Sequence, residues 1–155
     1  MLEGQLYQLG FVCDNLEEAI ASFRGRGMTH EPHIMEVDQT VDSPSGEVVN
    51  KIRLCFIWIG DMQYELIQPI EDPLGVYGNA PSNGGPMRFH QVCFRVKDWD
   101  DFRKRVDEQD LPVVFERDMG GDNLKFLYLD GREKFGHYLE YTWMTDASWD
   151  QIRKM

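Results

Sequence analysis

Residues 88–98 of the chain, RFHQVCFRVKD, form the pattern of a strand that runs directly into the start of a helix. Side chains along a strand alternate between its two faces, so Gln91 and every second residue after it share one face. Either Asp98 or Asp100 can cap the helix that follows, whose apolar residues recur at helical spacing. The stretch therefore predicts a β-α unit with polar side chains on one face of its strand.

The chain contains this pattern twice. Residues 6–14, LYQLGFVCD, also predict a strand followed by a helix with one apolar face. Gln8 and Gln91 occupy equivalent positions, 83 residues apart (91 minus 8). An internal repeat of this kind indicates two copies of one structural unit.

Composition limits the classes of protein that the chain can belong to. Its 155 residues, 42% of them hydrophobic, suffice for a packed core in one unit or two small half-domains. A net charge of −11 argues against nucleic acids and anionic membranes as partners, because both require basic surfaces. Three cysteines without a CxxC motif, no signal peptide pattern and no long apolar run predict a cytoplasmic protein with reduced thiols.

Each half of the chain predicts the order β-α-β-β-β. We place the first module at 1–70, a linker rich in proline and glycine at 71–86, the second module at 87–144 and a C-terminal helix at 145–155. In the first module, the expected strands are 5–13, 33–37, 51–59 and 62–68, the last two joined by a tight turn at 60–61. Residues 38–50 are polar and contain proline and glycine, which predicts a mobile loop.

Both modules carry an amide on the first strand and a glutamate on the last. These residues are Gln8 and Glu65 in the first module and Gln91 and Glu140 in the second. A carboxylate on an apolar strand is costly unless it is paired or bound to something. If the first and last strands of a module are neighbours, two facing modules bring four oxygen-bearing side chains around one cavity, and such a set suits a divalent ion.

This arrangement resembles the vicinal oxygen chelate superfamily, which includes glyoxalase I, bleomycin-resistance proteins, methylmalonyl-CoA epimerase and extradiol dioxygenases. The matching motifs are residues 8–12 running into 14–19, residues 64–69, and residues 91–96 running into Asp98. The resemblance implies an α+β fold in which two tandem β-α-β-β-β modules form a curved, open sheet around a cavity. It leaves the activity open, because this fold hosts lyases, isomerases, dioxygenases and plain binding proteins.

The resemblance also implies a ligand set for one divalent metal ion (Zn, Ni, Co, Mn or Mg), made of Gln8, Glu65, Gln91 and Glu140. Here Gln91 replaces the usual histidine at the third position, and His90 precedes it. An amide oxygen is a weaker ligand than imidazole for zinc, nickel or iron. A metal-free site, in which Gln8 and Gln91 simply hydrogen-bond the glutamates across the cavity, is therefore an equal alternative, and a dioxygenase is not expected.

Glu140 and Glu65 are the candidate catalytic residues. In isomerase-like relatives, a carboxylate at such a position removes a proton next to a carbonyl group, and the metal holds the resulting enolate. The alternative is that each glutamate forms a buried ion pair with Arg53, Arg88 or Arg95.

Four further residues are candidates for substrate contacts. Arg95 shares a face with Gln91 and can anchor a carboxylate or phosphate, although an ordinary ion-paired arginine is equally expected. Tyr138 is in phase with Glu140, Cys93 is able to touch the cavity, and Trp58 is able to form a wall. His90 should point away from Gln91 as a packed residue, unless a strand bulge turns it inward.

Two functions follow from these residues. The first is a glyoxalase- or epimerase-like lyase or isomerase that transfers a proton next to the carbonyl group of a small substrate. The second is a metal-free small-molecule binding protein of the bleomycin-resistance type. Gln91 favours the binding protein, and the pair of glutamates favours the enzyme. Many relatives are dimers, so we expect a homodimer.

Overall fold

The repeat in the sequence produces eight strands and four helices in the computed structural model, which describes residues 2–155. The elements are β1 (Gln5–Val12), α1 (Leu16–Ala21), β2 (Met35–Ser43), β3 (Gly46–Ile59), β4 (Met62–Glu71), β5 (Arg88–Arg95), α2 (Trp99–Asp107), β6 (Val113–Arg117), β7 (Lys125–Leu129), α3 (Arg132–Phe135), β8 (Tyr138–Trp143) and α4 (Asp146–Ile152). Between residues 2 and 155, no helix has the length and apolar character needed to cross a membrane.

All eight strands belong to one strongly curved sheet with the order β1-β4-β3-β2-β6-β7-β8-β5. In each module the first strand pairs in parallel with the last, β1 with β4 and β5 with β8. The two first strands, β1 and β5, pair antiparallel and join the modules. The predicted α+β fold is confirmed, and the sheet expected to be open closes where Asp42 of β2 pairs with Glu116 of β6.

The strand register places the repeated polar residues side by side. The neighbouring residues are Gln8 with Gln63 and Gly10 with Glu65 in the first module, and Gln91 with Tyr138 and Cys93 with Glu140 in the second. Each glutamate thus lies beside the residue two positions after its module's glutamine. Because strand side chains alternate, all of these positions share one face of the sheet.

The starts of helices α1 and α2 agree with the sequence pattern. The Asn15 side chain accepts a hydrogen bond from the backbone N–H of Glu18 (2.9 Å), and Asp98 accepts one from Asp101 (2.9 Å). Such caps satisfy backbone donors that the first helical turn leaves free. The helices cover the outside of the sheet with their apolar faces, so the inner face of the sheet is left to enclose a cavity.

The prediction of a mobile loop at 38–50 is wrong. β2 and β3 instead form a hairpin that turns at Pro44 and Ser45. Polar residues on the outer face of β2 alternate with inward residues that include Val41, which is buried. Strict alternation is the mark of a half-buried strand, and the proline and polar residues concealed it in the sequence.

The C-terminal helix α4 covers Asp146–Ile152, within the expected range of 145–155. It is capped by Thr145, whose hydroxyl accepts a hydrogen bond from the backbone N–H of Ser148 (3.1 Å). The short helix α3 was not predicted. Cys13, Cys55 and Cys93 are free thiols and are buried.

Candidate functional site

The curved sheet encloses a cavity of about 690 Å³. This size falls in the range of small-molecule sites, which is roughly 300–1,000 Å³. Its apolar lining comes mainly from β2, β3 and the β6–β7 hairpin, which supply Met35, Val37, Leu54, Phe56, Trp58, Leu124 and Phe126. The segment before β2 and the C-terminal segment add Pro32, Met144, Ile152 and Met155. Its buried polar lining consists of Gln8, Gln63, Glu65, Glu140 and Thr142. An apolar pocket with a few converging polar groups is typical of a binding or active site.

Glu65 and Glu140, which we call the carboxyl pair, meet at one amide group. The Gln91 Nε2 atom donates to Glu65 Oε2 over 2.9 Å and lies 3.4 Å from Glu140 Oε2. The same nitrogen lies 3.0 Å from the Tyr128 hydroxyl. The fold therefore joins one glutamate from each module through the amide of the second module.

No arginine neutralises the carboxyl pair within residues 2–155. The three arginines considered as partners bind other carboxylates: Arg53 binds Glu17 (2.6 Å), Arg88 binds Asp14 (3.1 Å) and Arg95 binds Asp146 (2.6 Å). The alternative of buried ion pairs is thus wrong for the carboxyl pair. A buried carboxylate without a cation strongly favours its protonated form.

Burial shifts the protonation of both glutamates. Loss of hydration raises the pKa of Glu140 to about 7, although hydrogen bonds from Gln91, Cys93 and Tyr128 oppose the shift. Burial also raises the pKa of Glu65 well above its ordinary value, and the nearby negative charge of Glu140 raises it further. A carboxyl group with a pKa of about 7 beside a second carboxyl group with a raised pKa is suited to general acid–base chemistry.

Gly10 makes room for the contact between the modules. The Gln91 side chain lies directly over Gly10, and a Cβ at this position would collide with the Gln91 amide. The equivalent position of the second module holds Cys93, which is buried. The missing side chain at Gly10 therefore allows Gln91 to reach Glu65 of the other module.

His90 lies closer to the site than a regular strand would allow. The pairing of β1 with β5 shifts between Gly10–Gln91 and Phe11–Phe89, which leaves His90 as the extra residue of a bulge. The ring is buried; His90 Nε2 lies 2.9 Å from the Val76 carbonyl oxygen, and His90 Nδ1 contacts Gln91 Oε1. His90 thus supports the Gln91 amide through a contact with its oxygen atom. Adjacency to Gln91 was the only sequence signal for this contact, because the bulge depends on strand pairing.

Gln63 is a site residue that the sequence reasoning missed. Its Oε1 atom accepts a hydrogen bond from Gln8 Nε2 over 2.7 Å. The Oε1 atom of Gln8 is buried and has no hydrogen-bond partner within the described chain. Gln63 lies two residues before Glu65, so strand alternation was the signal that pointed to it. The unpartnered Gln8 oxygen leaves an acceptor free for a ligand donor or a cation.

The four residues predicted to contact the substrate do not all lie at the cavity. Trp58 lines the cavity, and its indole nitrogen donates to the Ile152 carbonyl oxygen (3.0 Å). The residues that line the cavity do not include Arg95, Cys93 or Tyr138. Arg95 binds Asp146 and the Met144 carbonyl oxygen, which fastens α4 to the sheet.

Tyr138 and Cys93 are buried residues of the paired strands that carry Glu140 and Gln91. The Tyr138 hydroxyl accepts a hydrogen bond from Asn79 (2.7 Å). The Cys93 thiol contacts the hydroxyl groups of Tyr7 (3.6 Å) and Thr142 (3.8 Å). Burial raises the pKa of the Cys93 thiol well above its ordinary value. A thiol of this kind is a poor nucleophile, because the thiolate is the reactive form.

The four residues predicted as metal ligands fit an ion that prefers oxygen ligands only if the side-chain amide of Gln91 rotates. Residues 2–155 contain no group of three or more His, Cys, Asp or Glu side chains that could hold a metal ion. The predicted ligand set has only two carboxylates, and its other two members are amides. The separations of 2.9 and 3.4 Å between Gln91 and the carboxyl pair resemble the roughly 3.0 Å between adjacent ligands of an octahedral ion with bonds of about 2.1 Å. The Gln91 amide must rotate, because its nitrogen now faces the carboxylates. With that rotation the set suits Mg²⁺ or Mn²⁺ better than ions that prefer imidazole.

Comparison with known families agrees with the repeat. The model of the Glyoxalase/Bleomycin resistance protein/Dioxygenase superfamily matches residues 4–128. The chain belongs to this superfamily, which confirms the resemblance drawn from its motifs. A comparison with curated proteins found no match.

Several solved structures share the fold. Streptomyces coelicolor methylmalonyl-CoA epimerase in complex with 2-nitronate-propionyl-CoA is 17% identical, with a TM-score of 0.67 over 92% of this chain and 96% of that one. The Mycobacterium tuberculosis methylmalonyl-CoA epimerase is 19% identical, with a TM-score of 0.63 over 97% of both chains. A hypothetical protein of Bacillus halodurans is 16% identical, with a TM-score of 0.60 over 92% of this chain and 95% of that one. At these identities the similarity is one of fold.

Proposed function

We propose that the chain is an isomerase- or lyase-like enzyme that moves a proton on the carbon next to the carbonyl group of a small substrate. One observation carries the proposal: two buried carboxyl groups with raised pKa values line a cavity of ligand size, and no basic side chain of residues 2–155 forms an ion pair with them. Methylmalonyl-CoA epimerases among the structural neighbours support the isomerase version. A likeness of fold does not carry the substrate.

The two glutamates of the carboxyl pair have different roles in this reaction. Ionised Glu140 removes the proton from the substrate carbon, since a base with a pKa of about 7 is half ionised near neutral pH and still accepts protons readily. Glu65, whose pKa is raised further by the charge of Glu140, supplies a proton or hydrogen bond to the developing negative oxygen. The reaction closes when protonated Glu140 returns its proton to carbon and Glu65 recovers its own proton from the substrate oxygen, so that both carboxyl groups end as they began.

The neighbouring polar groups position the pair. Gln91 and Tyr128 hold the two carboxyl groups by hydrogen bonds, and His90 supports the Gln91 amide. The unpartnered Gln8 oxygen is free to accept a hydrogen bond from a hydroxyl group of the substrate. A bound Mg²⁺ or Mn²⁺, held by Gln8, Glu65, Gln91 and Glu140, would stabilise negative charge on the substrate oxygen.

The experiment that tests the enzyme is proton exchange in D₂O. The purified protein would be incubated with hemithioacetals of 2-oxoaldehydes and with 2-substituted acyl thioesters, methylmalonyl-CoA included, and loss of the C–H signal followed by proton NMR. We expect exchange with at least one compound, lost in Glu140→Gln and kept in Glu133→Gln, a glutamate of α3 away from the cavity. If no compound exchanges faster than it does without protein, the enzyme proposal is wrong.

The second candidate is a metal-free binding protein for small molecules. The extent of the apolar lining, which includes Phe56, Trp58 and Phe126, favours this function. Isothermal titration calorimetry of the same compounds separates the two candidates. A binding protein would bind its ligand equally well with chelator present and would leave it chemically unchanged.

A further inference from the structure

One positive charge at the cavity lacks a carboxylate partner. Arg117 is the last residue of β6 and lines the cavity. It pairs across the hairpin with Phe126, which belongs to the apolar lining. The contact of its guanidinium group is with a neutral sulfur atom, since Nη2 lies 3.1 Å from Met119 Sδ.

This lack of a partner is unusual in the chain. The protein has 27 acidic against 16 basic residues, so carboxylates are in excess. Within residues 2–155, eight arginines form ion pairs, and Arg26 and Arg117 do not; the eight are Arg24, Arg53, Arg88, Arg95, Arg103, Arg105, Arg132 and Arg153. Arg26 donates instead to the Ser22 carbonyl oxygen. Among the described residues, Arg117 is the one arginine that lines the cavity, and no carboxylate forms an ion pair with it.

The acidic residues beside Arg117 in the sequence are engaged elsewhere. Glu116 binds Arg103 over 2.8 Å, and Asp118 pairs with Lys125 over 3.4 Å. Asp118 also accepts a hydrogen bond from the Trp99 indole (3.0 Å).

Glu31, the exposed carboxylate of the cavity lining, is likewise held by another group. Glu31 binds Arg24 over 2.7 Å. The carbonyl oxygen of the C-terminal Met155 accepts a hydrogen bond from His30 (2.6 Å). Both Glu31 and Met155 line the cavity with Arg117, so the arrangement leaves a single free guanidinium there.

We propose that Arg117 binds the anionic group of a ligand whose apolar body fills the cavity. A guanidinium group forms paired hydrogen bonds with a carboxylate, sulfonate or phosphate, and these charge-assisted bonds are stronger than neutral ones. The apolar lining accommodates the rest of the molecule. The substrate class is thus an organic anion with an apolar body, an inference that rests on the proposed function in taking this cavity as the substrate site.

Two fluorescent probes test the inference directly. 8-Anilinonaphthalene-1-sulfonate carries one sulfonate, and N-phenyl-1-naphthylamine is its neutral counterpart. Both would be titrated into the wild-type protein, Arg117→Gln and the control Arg26→Gln, with circular dichroism to verify folding. We expect Arg117→Gln to weaken sulfonate binding about tenfold and to leave binding of the neutral probe unchanged. Arg26→Gln should change neither.

Three results would overturn the inference. They are an equal loss for both probes in Arg117→Gln, no loss for the sulfonate, and no binding of either probe to the wild-type protein. Titrating Glu140→Gln keeps this test separate from the proposed function. If proton transfer fails in every assay while the sulfonate still depends on Arg117, the anion site stands and the enzyme does not.

Discussion

The two modules share a backbone design and differ in the side chains that matter. With the offset of 83 residues, Gly10 corresponds to Cys93, Val12 to Arg95 and Tyr7 to His90. Gln91 extends over Gly10 to both glutamates, whereas Gln8 turns to Gln63 of its own module. Arg95 binds Asp146 of α4, whereas Val12, at the equivalent position of the first module, is a buried apolar residue. The repeat thus supplies symmetric positions, and unlike residues at those positions make one asymmetric site.

The hairpins differ as well. β2 and β3 have 9 and 14 residues, whereas β6 and β7 have 5 each. The longer hairpin supplies Met35, Val37, Leu54, Phe56 and Trp58 of the apolar lining. One module therefore contributes most of the wall, and the other contributes the amide that joins the carboxyl pair.

The largest expected effect separates the two glutamates. Glu140→Gln should lower the rate of proton exchange by about 10²–10⁴, the usual contribution of a general base. Glu65→Gln should lower it less, because an amide still donates a hydrogen bond to the substrate oxygen. Rates from NMR in D₂O measure the difference. Equal rates for wild type and Glu140→Gln would remove Glu140 from the mechanism.

The carboxyl pair should also make stability depend on pH. The folded-state pKa of Glu140, about 7, lies above that of an unfolded glutamate, about 4.3, so between these values the folded state holds more protons. The contribution of Glu140 to stability is therefore full below about pH 4 and is lost as pH rises to about 7.

Comparison with Glu140→Gln isolates this contribution. Relative to the variant, the wild-type protein should lose a few kcal/mol of unfolding free energy between pH 4.5 and 7.5, at about 1.4 kcal/mol per pKa unit. Urea unfolding at several pH values measures it, with Glu133→Gln as control. A constant difference between wild type and Glu140→Gln across this range would contradict the raised pKa.

Gly10→Ala tests whether the modules depend on the missing side chain. The new methyl group would push Gln91 off the first strand, and overpacking of this kind costs about 1–3 kcal/mol. Gly78→Ala is the matched control, since its Cβ meets only the Asp72 carboxylate at 3.4 Å. Urea unfolding measures both variants. Equal stability of Gly10→Ala and wild type would show that Gln91 does not need this space.

An effect no larger than that of Gly10→Ala concerns α4, the helix that follows the last strand of the second module. Arg95→Met leaves the Met144 carbonyl oxygen without its donor, which costs about 1–3 kcal/mol when the group is buried. Asp146→Asn should cost less, because its carboxylate is exposed. Thermal unfolding followed by tryptophan fluorescence compares them with Arg153→Gln, another ion pair of the C-terminal segment. If all three variants unfold alike, Arg95 has no special role.

A cation offers a further check on the two modules together. Mn²⁺ should bind with one ion per chain, and Glu65→Gln combined with Glu140→Gln should abolish binding, because both carboxylates supply charge. Calorimetry measures it, with Glu133→Gln as control. Unchanged affinity in the double variant would place the ion elsewhere.

The sequence alone determined the repeat, the α+β modules and the face that carries Gln8, Glu65, Gln91 and Glu140, because strand alternation and helix caps are local properties. Only the tertiary structure revealed the β2–β3 hairpin, the bulge at His90 and the Gln8–Gln63 contact. These features depend on which strands pair and in what register. In residues 2–155, the same pairing left the carboxyl pair without a basic partner and placed Arg95 against Asp146 of α4, since long-range packing decides which charges meet.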